Sequence, residues 1–557
     1  MSSRTLVWFK RDLRLRDHAP LAHAAHADEA LALFVLEPSW LRSPEFDARH
    51  LSHLQRCLSE LHAALAARGL PLLVRVGEAV EVLDTLRRQW SFTHFVSHEE
   101  TGPYWSYERD RAVARWCRSQ SVVWQEHVQT GVVRGLRERG GWAARWAARM
   151  AAPEVPVPGG WRAPGGVLGG GMSGGLVEPL PDLSVLVRAH VPGWEALPLA
   201  TADERVPRLP AGEDAAWADL ASFLSRRGQG YRQNLSSPLS AESGCSRLSA
   251  HLSFGSVSMR SVHQATEARI ATLRAADEPG DRSLAYHLQG FASRLRWHCH
   301  FMQKLESEPE IEWRHFAQAY EGLREPGFDR GRHQAWCRGE TGFPMVDACM
   351  RSLNATGWLN FRMRAMLVSV AAYHLWLHWR EPGLHLARQF IDFEPGIHWS
   401  QMQMQSGTTG INTMRVYSPT KQAQEHDPQG VFIRRWVPEL AGVPLAHLAE
   451  PWRLSLAEQR AAGCVIGSHY PAPVVDPVTA VREAKARLAA VRRQPEARAE
   501  ADGVQARHGS RKSGLPASAR GRSAQAAAPR TTRAKKRDAA ASPEAFAHQP
   551  GLFDEPM

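Results

Sequence analysis

The sequence predicts a doubly wound α/β domain at the N-terminus, a mainly α-helical domain after it, and a disordered basic C-terminal tail. Three observations carry that prediction. Short apolar runs alternate with helical patterns over the first 130 residues, a Gly- and Pro-rich break follows, and long Trp-bearing helical segments run from about 211 to 480. A chain of 557 residues has room for two large domains plus unstructured segments. With 43% hydrophobic and 22% charged residues, it is neither wholly disordered nor collagen-like.

Taken in order, residues 6–9, 31–36, 70–76, 94–97 and 122–125 read as strands short enough to be buried on both faces. Between the second and third, Leu51, Leu54, Leu58, Leu61 and Leu65 recur at three- and four-residue steps, which places one apolar stripe on a helix. Strand and helix in alternation imply a parallel sheet. The first strand runs into Lys10-Arg11-Asp12-Leu13-Arg14 instead of a G-x-G-x-x-G turn, which argues against an ordinary dinucleotide-binding domain. Within 159–175, nine of seventeen positions are Gly, the composition of a flexible connection. The domains are therefore read as 1–140 (α/β), 141–210 (Gly/Pro-rich linker), 211–480 (helical) and 490–557 (tail).

Net charge is +11, from 68 basic and 57 acidic residues. Residues 501–540 hold ten Lys/Arg against two Asp/Glu, so +8 of that surplus lies in one segment. Arg- and Ala-rich and free of aromatics before 540, it buries too little apolar surface to offset its chain entropy. Such a tail adds salt-sensitive attraction to phosphates, although a solvated spacer has the same composition. Seven cysteines with no C-x-x-C pair fit a reducing, cytoplasmic compartment. No apolar stretch reaches the ~18 residues of a membrane span, so a soluble, unprocessed chain is expected.

Gly244-Cys245-Ser246-Arg247-Leu248-Ser249 gathers hydroxyls, backbone donors and a guanidinium before a helical pattern. That suits a phosphate at a helix N-terminus; a Ser-rich helix cap reads the same way. Arg362 and Arg364 lie about 200° apart on one helix, so one turns inward while the other faces a groove. A buried Arg needs an acid, and Asp392 or Glu394 in Phe390-Ile391-Asp392-Phe393-Glu394 supplies it; from the residues alone, a structural salt bridge is the simpler account. His298-Cys299-His300 lacks further ligands at compatible spacing, and no four Cys suit an iron–sulfur cluster, so no metal is expected.

Six motifs then fall in one order. They are Trp8-Phe9-Lys10-Arg11-Asp12-Leu13-Arg14, the Cys245 to Ser249 run, Thr341-Gly-Phe-Pro-Met-Val-Asp-Ala-Cys-Met-Arg351, Ala355-Thr-Gly-Trp358, Trp379-Arg-Glu381, and Arg415-Val-Tyr-Ser-Pro-Thr-Lys-Gln422 with the Asp427 to Leu440 segment. Together they resemble the photolyase/cryptochrome family over about residues 5–450. The resemblance implies an α/β antenna domain, a helical domain holding FAD, and a basic groove that accepts ultraviolet-damaged DNA. It implies a blue-light-dependent deoxyribodipyrimidine photo-lyase that repairs pyrimidine dimers by electron transfer from excited reduced flavin; a cryptochrome-like photoreceptor is the alternative.

Position by position, the resemblance assigns Tyr231, Cys245, Ser246, Arg247, Leu248 and Ser249 to the FAD phosphates. It sets Phe361, Arg364, Asp392, Phe393, Glu394 and His398 around the flavin. Trp297, Arg362, Met404 and Gln422 fall where the family touches DNA. His398 stands where repair enzymes often carry Asn against the ring, as a group able to titrate or as packing beneath it. Of the family's three relay tryptophans only Trp379 matches cleanly; Met402 takes the flavin-proximal place, the distal one falls near Pro326, and Trp399, Trp376 and Trp358 are candidates for an altered route. Met404 and Phe361 replace an aromatic and an Asn at the lesion site. A second, antenna chromophore is open. Gln549, Leu552 and Phe553 near the C-terminus resemble a sliding-clamp-binding peptide, and a monomer is expected.

Overall fold

Five strands, β1 (Arg4–Phe9), β2 (Glu29–Leu36), β3 (Leu72–Val76), β4 (His94–His98) and β5 (Val123–His127), form one parallel sheet in the order β3-β2-β1-β4-β5. They belong to a computed structural model that describes residues 3–136, 138–164, 180–190, 209–276 and 278–509. Each strand lies within two residues of its predicted bounds. β1 is central, in register from Arg4 opposite Glu29 to Phe9 opposite Phe34. Because side chains alternate across a strand, Val7 and Phe9 pack with Leu51, Leu54 and Leu58 of helix α1 (Ala48–Ala66) on one face. Leu6 and Trp8 pack with Leu83, Leu86 and Trp90 on the other. Burial on both faces is why these strands read as near-continuous apolar runs.

The second domain is built on α2 (Pro279–Ser307), α3 (Phe361–Ser369), α4 (Arg380–Gln389), α5 (Pro395–Ser406) and α6 (Pro419–His426). α2 packs along α5, and the central core joins Met363, Met366, Leu367, Trp379, Leu386, Phe390, Trp399 and Met402. After Ser369 the helix widens into a π turn over Val370–His374, and Trp376 takes a left-handed φ of +54°. That reversal brings Trp379 back against Trp399.

Two sequence expectations need correction. The stretch read as a linker from 141 begins with a helix, Trp142–Ala151, whose Trp142, Trp146 and Met150 recur at four-residue steps and are buried in the helical core. Its continuation straps the α/β domain: Trp161 is buried and its Nε1 donates to the Leu21 carbonyl at 2.9 Å. The Gly-rich composition farther along hid this short periodic segment. Order also continues past 490, through helices Pro477–Arg493 and Pro495–His508, which bury Ala484, Leu488, Val491, Ala497 and Val504. Their Arg/Ala-rich composition resembles the tail, but they carry an apolar stripe that the tail lacks. The basic segment beyond 509 and its Gln549, Leu552 and Phe553 lie outside the described residues.

The domains meet at the carboxyl end of β1. Arg14 is fully buried and donates to the Gly255 carbonyl and the Asp17 carbonyl, both at 3.1 Å. Asp17 accepts the Ser258 hydroxyl at 2.6 Å and pairs with Arg260. Gly255 has φ +71°, and a Cβ there would stand 2.1 Å from the Arg11 carbonyl oxygen. Gly255→Ala is therefore expected to lower stability by about 1–3 kcal/mol through backbone strain alone, with a further loss from the clash. Urea-unfolding midpoints of the two proteins measure it.

Candidate active site

The loop between α4 and α5 carries Asp392, and the α/β domain fixes that loop through its backbone carbonyls. His50 Nε2 donates to the Phe390 carbonyl at 3.0 Å, Arg11 to that of Phe393 at 3.2 Å, and Arg49 to that of Gln389 at 3.2 Å. Ser253 adds a hydroxyl on the Phe393 carbonyl at 3.0 Å. Against this frame α3 projects Arg364, whose Nη1 and Nη2 meet the two Asp392 oxygens at 3.1 and 2.7 Å. A bidentate fork of this kind fixes orientation as well as charge. Arg364 Nε donates to the Leu359 carbonyl, and the guanidinium stacks on Phe390 at 4.0 Å. The Asp392 side chain is 1% exposed and that of Arg364 25%, so the guanidinium keeps an open side.

His398, on the first turn of α5, lies 5.1 Å from the Phe393 ring and 4.7 Å from that of Trp399. Burial, with Arg364 and Arg380 nearby, pushes its pKa down to about 3, against the opposing effect of its bond to Gly383. Its Nε2 donates to the Gly383 carbonyl at 2.9 Å. A carbonyl only accepts, so the imidazole is neutral with its proton on Nε2 and a lone pair on Nδ1. This His398 does not titrate near pH 7. Trp399 continues to Trp379 at 5.8 Å between ring centroids. Met402 is 2% exposed and packs in the same core. Trp376 lies instead between the Arg324 and Arg487 guanidiniums, and Trp358 under that of Arg247 at 3.7 Å.

Arg247 has φ +65° and sits in the electrostatic reach of Asp392. Leu248 is buried, Ser249 exposed, and the backbone carbonyls of Cys245 and Ser246 accept from Arg227. Tyr231 is buried edge-to-face against Phe223 and Phe291. Glu394 pairs with His298; burial opposes the charged imidazole, but the carboxylate outweighs it and pushes His298 up to about 10. Phe361 opens α3 and Met404 is half-buried on α5. Trp297 packs on His300 and Phe301. Arg362 Nε and Gln422 Oε1 are buried with no hydrogen-bond partner among the described residues, and burial, then the charge of Arg362, lowers the pKa of His426 to about 4.

The donor set fits a flavin nucleotide. A cation and hydroxyls at 246–249 suit the phosphates, while Asn360 Oδ1 and Ser400 Oγ, buried without partners, and the open side of Arg364 leave polar groups for a planar heterocycle.

An open pocket lies at the carboxyl ends of β1 and β2 and reaches Phe393, where parallel sheets place ligands. Trp8, Trp40 and Trp105 line it with Lys10, Glu37, Glu45, Glu100 and Arg109. Burial raises Glu37 to about 7 despite its 3.0 Å contact with Arg109. Sequence reasoning missed these acids because Glu37 and Glu100 follow different strands and Glu45 lies in a loop, with no fixed spacing among them.

Comparison with known proteins places this geometry. The family described as DNA photolyase matches residues 5–135, and the FAD binding domain of DNA photolyase matches 291–490. A cryptochrome DASH of Gloeobacter violaceus is 28% identical over 502 residues, covering 86% of this chain and 94% of the relative. The deoxyribodipyrimidine photo-lyase of Escherichia coli is 28% identical over 498 residues, 85% and 95% of the two chains. The solved class III photolyase of Agrobacterium tumefaciens aligns with a TM-score of 0.71 at 23% identity, over 89% of this chain and 98% of that one. The chain belongs to the photolyase/cryptochrome family. No helix among the described residues is long and apolar enough to cross a membrane.

Proposed function

We propose that the protein binds FAD between α3 and α5 and acts as a blue-light-dependent photolyase on ultraviolet-damaged DNA. The observation that carries this reading is the bidentate Arg364–Asp392 pair, held by the α/β domain beside a neutral His398. Flavin bound there supplies light-driven one-electron chemistry. The protein's own residues orient and exclude: Asp392 fixes Arg364, Arg364 presents its open side to the ring, and Nδ1 of His398 offers an acceptor. Trp399 and Trp379 lead away from the ring in edge-to-face contact.

The polar atoms of Arg362 and Gln422 that lack a hydrogen-bond partner among the described residues support DNA as the partner, because buried donors and acceptors normally find one. The cavity at the sheet edge, aromatic-walled and rimmed by charge, suits an antenna chromophore with a planar ring and a polar edge. A photoreceptor reading is favoured by Phe361 and Met404, which give the lesion pocket apolar walls in place of an amide and a stacking ring. Clamp docking through the tail rests on the sequence alone.

Purified protein, incubated with oligonucleotides carrying defined cyclobutane or 6-4 lesions, is expected to restore bases in blue light and not in darkness. No restoration of any lesion by flavin-loaded protein would favour the photoreceptor. Arg362→Ala is expected to weaken binding to damaged duplex by about tenfold and to reduce the salt slope by about one, as for a lost phosphate contact. Titrations at three salt concentrations read both.

A further inference from the structure

At the outer end of the Trp399–Trp379 pair, His315 Nε2, His378 Nε2 and a Glu325 carboxylate oxygen lie within 4.8 Å of one another. Two imidazoles and a carboxylate invite a metal, but the hydrogen bonds on their other atoms argue against one. Trp379 Nε1 donates to His315 Nδ1 at 3.1 Å. An indole N–H only donates, so His315 Nδ1 carries a lone pair and the neutral ring keeps its proton on Nε2, the atom a metal would need. That proton is itself engaged: His378 Nε2 lies 3.2 Å from His315 Nε2 and accepts from it, so neither atom is free for an ion. Both Nε2 atoms lie 3.6 Å from the same Glu325 oxygen. This is the layout of a proton path: indole N–H, imidazole, carboxylate, water. Its start is dry, with Trp379 at 1% and His315 at 4% exposure, and its end is wet, the Glu325 side chain being 39% exposed.

We propose that His315 is the proton acceptor for oxidised Trp379, and that Glu325 passes the proton to solvent. The proposal rests on the flavin reading above and assigns this chain's own exit route. The balance is as follows. Trp379 loses one electron, through Trp399, to a light-excited flavin as oxidant. The resulting indole cation is a far stronger acid than indole, and its N–H bond breaks. The proton bonds to His315 Nδ1, leaving a neutral indolyl radical and an imidazolium. The imidazolium releases its Nε2 proton to Glu325 and then to water. An external thiol returns the electron, the indole takes back the proton held on His315 Nδ1, and His315 Nε2 regains one from water by way of Glu325.

Two further contacts fit this direction. The Arg380 guanidinium lies 4.3 Å over the Trp399 ring, so a positive hole is disfavoured there and moves outward to Trp379. Trp379 is sealed from water and, without a neighbouring base, would hold that charge in a low-dielectric core until the electron returned. His315 is available as a base: burial, then His378 and Arg324, hold it down at about 4 against the opposing Glu325, and His378, facing Glu325, Arg324 and Arg380, is likewise near 4. Both rings are thus neutral at physiological pH.

The test is transient absorption of the flavin-loaded protein after a blue flash, read in the tryptophan-radical region, where the cation absorbs to the red of the neutral radical. Wild type is expected to pass from cation to neutral radical with a solvent deuterium isotope effect of about two or more. His315→Gln keeps an acceptor oxygen for the indole but no base; it should hold the cation, lose the isotope effect and lower the yield of lasting flavin photoreduction about tenfold. Glu325→Gln should form the neutral radical but delay proton appearance in a bulk pH dye. In flavin-free protein, the Trp379 indole ¹⁵N–¹H signal should be retained in His315→Gln, showing an intact fold. Equal deprotonation and yield in His315→Gln would overturn this assignment while leaving the flavin reading in place. A wild type that bleaches flavin without any tryptophan radical would also overturn it, and absence of flavin photochemistry altogether would overturn both.

Discussion

Asp392→Asn is expected to purify with at least tenfold less flavin and to unfold at lower denaturant concentration. The wild-type carboxylate is 1% exposed and takes both terminal nitrogens of Arg364. Replacing it with an amide keeps the shape but leaves a guanidinium without its counter-charge beside a buried loop. Removing one partner of a buried pair costs about 3–5 kcal/mol; because the Arg364 side chain is a quarter exposed, solvent screening reduces this to about 2–3 kcal/mol. The flavin loss has a separate cause. With Asp392 neutral, Arg364 is free to turn toward water, and the face it offers the ring is no longer fixed. The ratio of visible to ultraviolet absorbance gives occupancy, and a urea titration gives stability. A variant that loses stability but keeps full flavin content would reduce the pair to a structural salt bridge, the simpler account that the residues alone also allowed.

Much of the frame was legible because its signals are local. β1 and β2 declare themselves by apolar runs covered on both faces, and α1 by five leucines on one stripe. The pairing of Arg364 with Asp392 was legible only through the family resemblance; the residues alone left open which of Arg362 and Arg364 turns inward and whether Asp392 or Glu394 meets it. What the sequence hid is what depends on distant chain segments. The carbonyl contacts of His50, Arg49 and Arg11 that fix the Asp392 loop join residues more than three hundred positions apart. The tautomer of His398 follows from the Gly383 carbonyl, which no spacing rule announces. Taken as a free imidazole, His398 titrates near neutrality; enclosed by Phe393, Trp399 and Gly383, it does not. The same holds for His315, an unremarked residue between two short helical turns until Trp379 folds back onto it.

Acid should destabilise this protein at pH values well above the ordinary carboxylate range. His53, His98 and His398 are at most 8% exposed, and burial is the main force pushing each down to about 3. In the unfolded chain they titrate near 6.5. Above that value neither state takes up a proton, and the stabilisation from keeping these rings neutral is fully present. As pH falls below 6.5 the unfolded chain binds protons that the folded chain refuses. Each ring then costs about 1.4 kcal/mol per pH unit until pH reaches the folded value. By pH 5 the three together remove about 6 kcal/mol, a large part of the 5–15 kcal/mol typical of a folded protein. His298 has the opposite sign: raised to about 10 against the cost of burial by Glu394, it contributes fully below 6.5 and its contribution fades as pH rises toward 10. Stability is therefore expected to peak near pH 6.5–7 and to fall on both sides, more steeply on the acid side. Urea midpoints at half-unit steps from pH 4.5 to 9.5 trace the curve. His53 provides the internal check, because its Nε2 has no protein partner among the described residues and its loss leaves the flavin loop untouched: His53→Phe should flatten the acid limb by about one proton. An acid limb with no slope between pH 6.5 and 5 would mean that these imidazoles reach water in the folded state, and the neutral His398 with its lone pair on Nδ1 would have to be abandoned with them.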